Sequence, residues 1–129
     1  MKYLLDTHVL IWWALEPAKL SGKIFNVLES PENRLFFSIG SIWEMQIKIQ
    51  LGKLMLPLPL AELIQMQERL NDIEILPVEQ GHIYFLEKLP LHHKDPFDRI
   101  LIAQSLLNDL ILISRDAAFS KYPVTVFWH

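Results

Sequence analysis

The sequence predicts one α/β domain with a largely parallel central sheet, and three observations support this. Its 129 residues match the size of one ordinary domain, and the apolar share of 51% is enough for a core. Short apolar runs alternate with longer stretches of helical composition, the order typical of strands connected by helices. No internal repeat, linker or charge block interrupts this order, so we expect the domain to span residues 1–129.

The first third of the chain is divided by caps and prolines. A short apolar run ends at Asp6 and predicts a buried strand, and Thr7 is expected to cap the helix that follows. Prolines 17 and 31 stop the first two helices. The predicted elements are a strand over 2–6, helices over 8–15 and 21–30, and a strand over 34–38.

Residues 39–51 give conflicting signals. From Trp43 to Leu51, apolar and polar residues alternate, and a period of two is typical of a strand. The residue types are strong helix formers, however, serines 38 and 41 can cap a helix, and Gly52 stands where a helix would end. We therefore predict a helix.

The remaining elements follow from prolines, caps and one apolar run. Residues 54–60 contain two prolines and are expected to be extended. The segment Asp95-Pro96-Phe97-Asp98 has the N-cap acid and first-turn proline of a helix start. We predict helices over 61–70, 79–89 and 95–108, a short helix after residue 116, and strands over 73–78, 110–113 and 124–127, the last at an edge.

Composition excludes several classes of protein. The chain has no cysteine, which excludes disulfide scaffolds, thiolate zinc sites and cysteine nucleophiles. Its apolar runs are shorter than the roughly 20 residues of a membrane span, and no signal-peptide pattern is present, so we expect a cytoplasmic protein. The net charge of −3 does not indicate nucleic-acid binding. The high apolar share favours a partner that covers an apolar patch.

Acidic residues stand where the predicted strands end. Asp6 closes the first strand, and Asp116 follows the strand over 110–113. Ligands of parallel sheets bind beyond the carboxyl ends of the strands, so both carboxylates are expected in one crevice. Asp95 and Asp98 open the helix before that last strand, although the sequence does not decide which end of the sheet they reach. Three or four clustered carboxylates repel unless a divalent cation neutralises them, and oxygen ligands favour Mg²⁺ or Mn²⁺.

Each of these residues also has a structural interpretation. Asp95 is most simply a helix cap, Asp98 favours the helix dipole, and Glu44 with Lys48 forms a surface ion pair at helical spacing. Other residues have structural interpretations too: the serines at 38 and 41 are helix caps, and His8 is a packed histidine. The tryptophans at 12, 13 and 43 are core or interface residues.

Four segments in order resemble the motifs of PIN-domain proteins, and most closely those of VapC-type toxins. These segments are Leu4-Leu5-Asp6-Thr7-His8, Ser38-Ile39-Gly40-Ser41-Ile42-Trp43-Glu44, His93-Lys94-Asp95-Pro96-Phe97-Asp98-Arg99 through Ala103-Gln104, and Ser114-Arg115-Asp116. The resemblance covers essentially the whole chain. It implies a three-layer α/β/α domain around a mostly parallel sheet of about five short strands.

The resemblance also implies a site. Its catalytic acids are Asp6, Glu44, Asp98 and Asp116, and Mg²⁺ or Mn²⁺ is held by Asp6, Asp98 and Asp116. Supporting roles fall to Thr7, Ser38, Ser41 and Asp95. Lys48, Arg99 and Arg115 are placed to meet RNA phosphates, and an equally consistent role for Arg99 is a salt bridge to Asp95 or Glu44.

The implied function is metal-dependent cleavage of RNA by the toxin of a toxin-antitoxin pair. Its implied partners are RNA, a small antitoxin and a second copy of the chain, with Trp12, Trp13 and residues 51–60 as the expected dimer interface. The alternatives are an RNA-processing PIN nuclease without antitoxin, a catalytically silent RNA- or protein-binding PIN domain, and a phosphoacceptor domain. The last would need a second acid close behind Asp6, and residues 7–9 provide none.

Overall fold

Five short parallel strands form the central sheet. The computed structural model describes residues 1–129 and places the strands in the order β3-β2-β1-β4-β5. Every neighbouring pair is parallel. The strands are β1 (Lys2–Leu5), β2 (Arg34–Ser38), β3 (Glu74–Leu76), β4 (Ile111–Ile113) and β5 (Val126–Phe127).

Helices cover both faces of this sheet, which confirms the predicted three-layer α/β/α architecture. The six helices are α1 (Thr7–Leu15), α2 (Gly22–Glu29), α3 (Ile39–Gln50), α4 (Leu60–Asn71), α5 (Gln80–Phe85) and α6 (Pro96–Asn108). Neighbouring residues of β1 point to opposite faces. Leu5 packs with helices α1 to α4 in the larger core, and Leu4 packs with α6 in the smaller one. Burial on both faces explains why β1 is an unbroken apolar run.

The helix predicted for residues 39–51 is confirmed as α3. The buried or half-buried positions 41, 44, 45 and 48 follow helical spacing, but three of them are polar, so an apolar count misses them. The Ser38 side chain caps the helix by accepting from the Gly40 N–H at 3.0 Å. Beyond the C-terminal end, Gly52 has φ +71°, a left-handed conformation that glycine adopts without strain.

Several boundaries differ from the prediction, and two of the differences have a clear local cause. The N-cap of α1 is Asp6 and not Thr7, because the Asp6 carboxylate accepts from the Thr7 N–H while the Thr7 hydroxyl is used elsewhere. The helix predicted over 79–89 ends at Phe85 and continues as a 3-10 turn over residues 86–88. An α-helix would need a bond from the N–H of residue 90 to the Leu86 carbonyl, and Pro90 has no N–H. The carbonyl accepts instead from the Leu89 N–H and from a buried arginine.

The direction of α6 settles which end of the sheet its first turn occupies. The helix precedes the parallel strand β4 and therefore runs antiparallel to the strands. Its N-terminus thus lies at the carboxyl edge of the sheet, beside the residues that follow β1 and β4.

No helix in the structure has the length and apolar character needed to cross a membrane.

Candidate functional site

A crevice of about 430 Å³ opens at the carboxyl edge of the sheet. Five carboxylates from four parts of the chain line it, so the structure brings the predicted acids together. They are Asp6 after β1, Glu44 on α3, Asp95 and Asp98 at the start of α6, and Asp116 after β4.

Asp6 is buried and held by two donors. Its Oδ1 accepts from the Thr7 N–H at 2.7 Å, and its Oδ2 accepts from the Ser114 hydroxyl at 2.7 Å. Burial raises the pKa of Asp6 above its ordinary value, and the two hydrogen bonds oppose that shift. The carboxylate therefore has a fixed orientation toward the crevice.

Glu44 is also held by donors of the chain. Its Oε1 accepts from the Thr7 hydroxyl at 2.7 Å, and its Oε2 lies 3.2 Å from Lys48 Nζ. The second contact is the predicted ion pair at helical spacing, and Lys48 lines the crevice with it. Thr7 thus connects both acids, through its main chain to Asp6 and through its hydroxyl to Glu44.

The two acids at the start of α6, Asp95 and Asp98, have different surroundings. Asp95 caps the helix, because its Oδ1 accepts from the Phe97 and Asp98 N–H groups at 2.8 and 3.2 Å. Asp98 receives no hydrogen bond from the main chain or from a hydroxyl. Burial is the largest cause of the raised pKa of Asp98, and together with the charges of Asp95, Asp6, Glu44 and Asp116 it brings that pKa to about 8. Asp98 therefore carries the least compensated charge of the crevice.

His93 is a site residue to which the sequence analysis gave no role. Its Nε2 lies 2.7 Å from Asp98 Oδ2 and 3.8 Å from Asp116 Oδ2, without the alignment of a hydrogen bond. These three residues could place ligand atoms within 4.8 Å of one another. His93 Nδ1 accepts from the Asp95 N–H at 3.4 Å, which leaves the ring proton on Nε2. In that tautomer the imidazole faces the acids as a donor rather than as a metal ligand.

The comparisons with known proteins agree with this geometry. A family model described as the PIN domain matches residues 3–124. The chain belongs to the PIN domain family. It is 28% identical over 130 residues to Ribonuclease VapC22 of Mycobacterium tuberculosis, covering 96% of this chain and 97% of that protein.

Solved structures of other proteins have a similar fold. VapBC2 from Rickettsia felis, bound to a DNA fragment from its promoter, gives a TM-score of 0.74 at 15% identity and full coverage of both chains. DNA-bound VapBC from Salmonella typhimurium gives 0.69 at 15% identity, over 98% of this chain and 97% of that one. At these identities, the likeness concerns the fold.

The serines of this PIN domain differ in their hydrogen bonds. Ser38 supports the site only by capping α3, and the Ser41 hydroxyl is buried with no hydrogen-bond partner. Neither hydroxyl donates to a carboxylate in the structure, so the supporting roles expected of Ser38 and Ser41 stay predictions. Ser114 supplies such a hydrogen bond, and its Oγ also accepts from the Asp116 N–H at 3.0 Å. Its place directly after the apolar strand was the available signal.

Arg99 does not line the crevice of this PIN domain, and it forms no salt bridge to Asp95 or Glu44. Its buried guanidinium donates to the Leu86 carbonyl at 2.8 Å and to the Pro90 carbonyl at 3.2 Å. Both carbonyls lie in the segment that leads to His93. Arg99 therefore anchors that segment, and the cations left at the crevice are Lys48 and Arg115.

The donor set of the PIN domain fits a hard divalent cation. It consists of carboxylate oxygens, and Asp98 receives no aligned hydrogen bond from the chain, although His93 Nε2 lies 2.7 Å from it. A bound Mg²⁺ or Mn²⁺ would remove the repulsion that raises the Asp98 pKa. Asp98 and Asp116 bring carboxylate oxygens within 4.8 Å of one another, and Asp6 lines the same crevice.

Proposed function

We propose that this chain is a divalent-metal-dependent endoribonuclease and the toxin of a VapBC-type toxin-antitoxin pair. The observation that carries the proposal is the crevice itself, in which five carboxylates meet at the carboxyl edge of a parallel sheet. Membership of the PIN domain family and likeness to Ribonuclease VapC22 support the ribonuclease activity.

The catalytic assignment follows from the contacts. Asp6, Asp98 and Asp116 would hold Mg²⁺ or Mn²⁺, with Glu44 beside them. The bound ion supplies the Lewis acidity and charge neutralisation that phosphodiester hydrolysis requires. Thr7 and Ser114 fix the carboxylates of Asp6 and Glu44 so that they need no reorientation.

The proposed substrate is single-stranded or loop RNA. Its backbone can be placed across an open crevice more easily than that of a stacked helix. Arg115 and Lys48 line the crevice beside the acids and provide the positive charge that phosphates need. We place both residues in the substrate-contact set.

An antitoxin fits the exposed apolar residues of α3 and the segment after it. Trp43 is 64% exposed, Leu51 63% and Met55 90%. Surfaces of this kind on small proteins are commonly covered by a partner. Similar folds were solved as VapBC complexes, which supports a protein partner for this chain.

Homodimerisation stays a prediction, with one correction to its interface. Trp12 and Trp13 are buried within their own chain, at 9% and 7% exposure, and so are not available to a second copy. Leu51 and Met55 of the predicted 51–60 segment are exposed and remain candidates.

RNA cleavage by the purified protein tests the enzymatic proposal. Total RNA should be cleaved with Mg²⁺ or Mn²⁺ and not with EDTA. Asp98→Asn should lower the rate more than about 100-fold, beyond the loss typical of partners that only orient a ligand. Asp72→Asn is the matched control, because Asp72 is an exposed aspartate at the end of α4. Equal cleavage by wild type and Asp98→Asn would reject the site.

Expression of the chain alone tests the toxin role. In a bacterial host we expect growth arrest with wild type and normal growth with Asp98→Asn at the same protein level. A chain that cleaves RNA in vitro but leaves growth unchanged would be a PIN nuclease without a toxin role.

A further inference from the structure

We propose that Trp12 positions Arg115 as the phosphate-binding arm of the crevice. The inference rests on the proposed ribonuclease function and adds a positioning residue to it. The Arg115 guanidinium carbon lies 4.7 Å from the centroid of the Trp12 ring, and both residues line the crevice. A planar guanidinium at this distance interacts with the π-system of the indole.

The Trp12 ring is buried and held in place by its neighbours. It lies on α1, and its indole is 9% exposed although it reaches the crevice wall. The Trp128 ring packs 6.1 Å from it, and the His8 ring 5.7 Å. Lys19 also lies 5.9 Å from the ring, but its ammonium pairs with Glu16 at 2.7 Å. Arg115 is therefore the cation on this ring that faces the crevice.

The backbone of Arg115 is fixed on both sides. Ser114 donates to Asp6, and the Asp116 N–H donates back to the Ser114 hydroxyl. Asp116 in turn accepts from the Ala118 N–H at 2.9 Å. With the main chain held in this way, the side-chain torsions decide where the guanidinium lies, and the indole restricts them.

The position of the guanidinium is unexpected on charge alone. Arg115 is exposed beside five carboxylates, yet it forms no salt bridge and no side-chain hydrogen bond with any of them. Lys48, the other cation of the crevice, is paired with Glu44. Contact with the indole therefore keeps the Arg115 N–H groups free of the acids and available for a phosphate, which a guanidinium can bind through two parallel hydrogen bonds.

Trp12 thus has two effects in this proposal. It holds the guanidinium where a phosphate of the substrate would bind, and it keeps the same charge from folding onto Asp116 or Asp6. A lysine at position 115 would lack the planar group that stacks on the ring and binds phosphate in bidentate fashion.

A double-mutant cycle between Trp12 and Arg115 tests the coupling. The readout is the affinity for a fluorescein-labelled single-stranded RNA 20-mer of mixed sequence, measured by anisotropy with Mg²⁺ in the Asp98→Asn chain. We expect Arg115→Ala and Trp12→Leu each to weaken binding about three- to tenfold. The double variant should bind no more weakly than Arg115→Ala, and Trp12→Phe should recover part of the loss.

Trp13 provides the matched control. It is the next residue of α1, is equally buried, and donates its indole N–H to Glu29 away from the crevice. Trp13→Leu should lower thermal stability as Trp12→Leu does but leave RNA affinity unchanged. Losses that multiply in the Trp12/Arg115 double variant, or equal affinity loss in Trp13→Leu, would overturn the proposal.

The salt dependence of binding gives a second readout. Removing one phosphate contact should reduce the slope of log affinity against log salt by about one. We expect this reduction in both Arg115→Ala and Trp12→Leu, and an unchanged slope in Trp12→Leu would contradict the positioning role. Failure of wild type to cleave RNA with metal would instead reject the proposed function, so the two outcomes are separable.

Discussion

The carboxylates on the two walls of the crevice differ in how many hydrogen-bond donors and cations surround them. On the wall built by β1, α1 and α3, every oxygen of Asp6 and Glu44 has a donor or cation from the chain. On the wall built by the start of α6, Asp98 has no main-chain or hydroxyl donor, and its pKa is raised to about 8. The first wall is preorganised, whereas Asp98 on the second keeps its proton up to about pH 8 because the chain stabilises its charged form poorly.

The difference has a local cause in the first turn of α6. The free N–H groups of a helix N-terminus normally stabilise an acid. Here Asp95 accepts from the N–H groups of Phe97 and Asp98, so Asp98 cannot accept from its own turn. The carboxylate of Asp95 also repels it. The capping interaction that starts the helix thus leaves Asp98 dependent on an added cation.

The largest expected effect concerns Asp98. In EDTA at pH 7, Asp98→Asn should melt at a higher temperature than wild type. The Asp98 carboxyl must bind a proton on folding to avoid the repulsion, whereas an amide of the same shape is neutral in both states. The same variant should lose cleavage, so activity and stability move in opposite directions. Differential scanning fluorimetry measures the shift, with Asp72→Asn as control. A lower melting temperature for Asp98→Asn would show that this wall is compensated after all.

A pair of serines tests the preorganised wall. Ser114 and Ser105 are both buried, but only Ser114 has a hydrogen-bond partner. Ser114→Ala should cost about 1–3 kcal/mol of unfolding free energy and weaken Mn²⁺ binding about 10- to 100-fold. Ser105→Ala makes the same chemical change without breaking a hydrogen bond and should cost little. Urea unfolding and calorimetric Mn²⁺ titration measure both, and equal costs would contradict the contrast.

The pH dependence of stability follows from the raised pKa of Asp98. A folded-state pKa of about 8 against an ordinary value of 3.8 means that the folded protein binds the proton more tightly than the unfolded chain. The metal-free protein should therefore be most stable at low pH with respect to this group and lose that contribution as the pH rises from about 4 to 8. The raised pKa of Asp6 acts in the same direction.

Melting temperatures in EDTA from pH 5 to 8 measure this slope. Asp98→Asn should flatten it, and Mn²⁺ should oppose it because the metal competes with the proton. Identical slopes for wild type and Asp98→Asn would remove Asp98 as the cause.

The smallest expected effect is at Lys48. Its pair with Glu44 is partly exposed, so Lys48→Gln should change stability by about 0.5 kcal/mol or less. Glu44 keeps the hydrogen bond from Thr7 in this variant. Lys53→Gln removes an exposed lysine that forms no ion pair and is the reference for urea unfolding. A much larger cost for Lys48→Gln would mean that this wall depends on the ion pair rather than on Thr7.

The fold was predictable where local chemistry and burial coincide. The apolar run before Asp6 and the Asp95-Pro96 helix start both predicted their elements, because burial on two faces and helix capping act over a few residues. The helix at 79–89 was predicted too long. Pro90 has no N–H to donate to the Leu86 carbonyl, and Arg99, a residue distant in sequence, donates to that carbonyl instead.

The site was predictable in its acids and less so in their supports. The carboxylates stand at strand and helix ends, where parallel-sheet geometry makes residues from different segments converge. Ser114, His93 and the two roles of Thr7 depend on side-chain directions that no spacing rule records. Arg99 is the opposite case. Its position next to Asp98 in the sequence predicted a place in the crevice, but its guanidinium faces the loop and donates to the Pro90 carbonyl.

Two remote segments meet at the Pro90 carbonyl. It accepts from Arg99 of α6 and from the Tyr122 hydroxyl at 2.9 Å, and that hydroxyl also accepts from the His93 N–H at 2.8 Å. The segment before α6 and the segment after Asp116 are thus joined through hydrogen bonds to the Pro90 carbonyl oxygen. An inserted or deleted residue between Leu89 and His93 would break this junction and displace the imidazole from Asp98, so natural length variation should be poorly tolerated there.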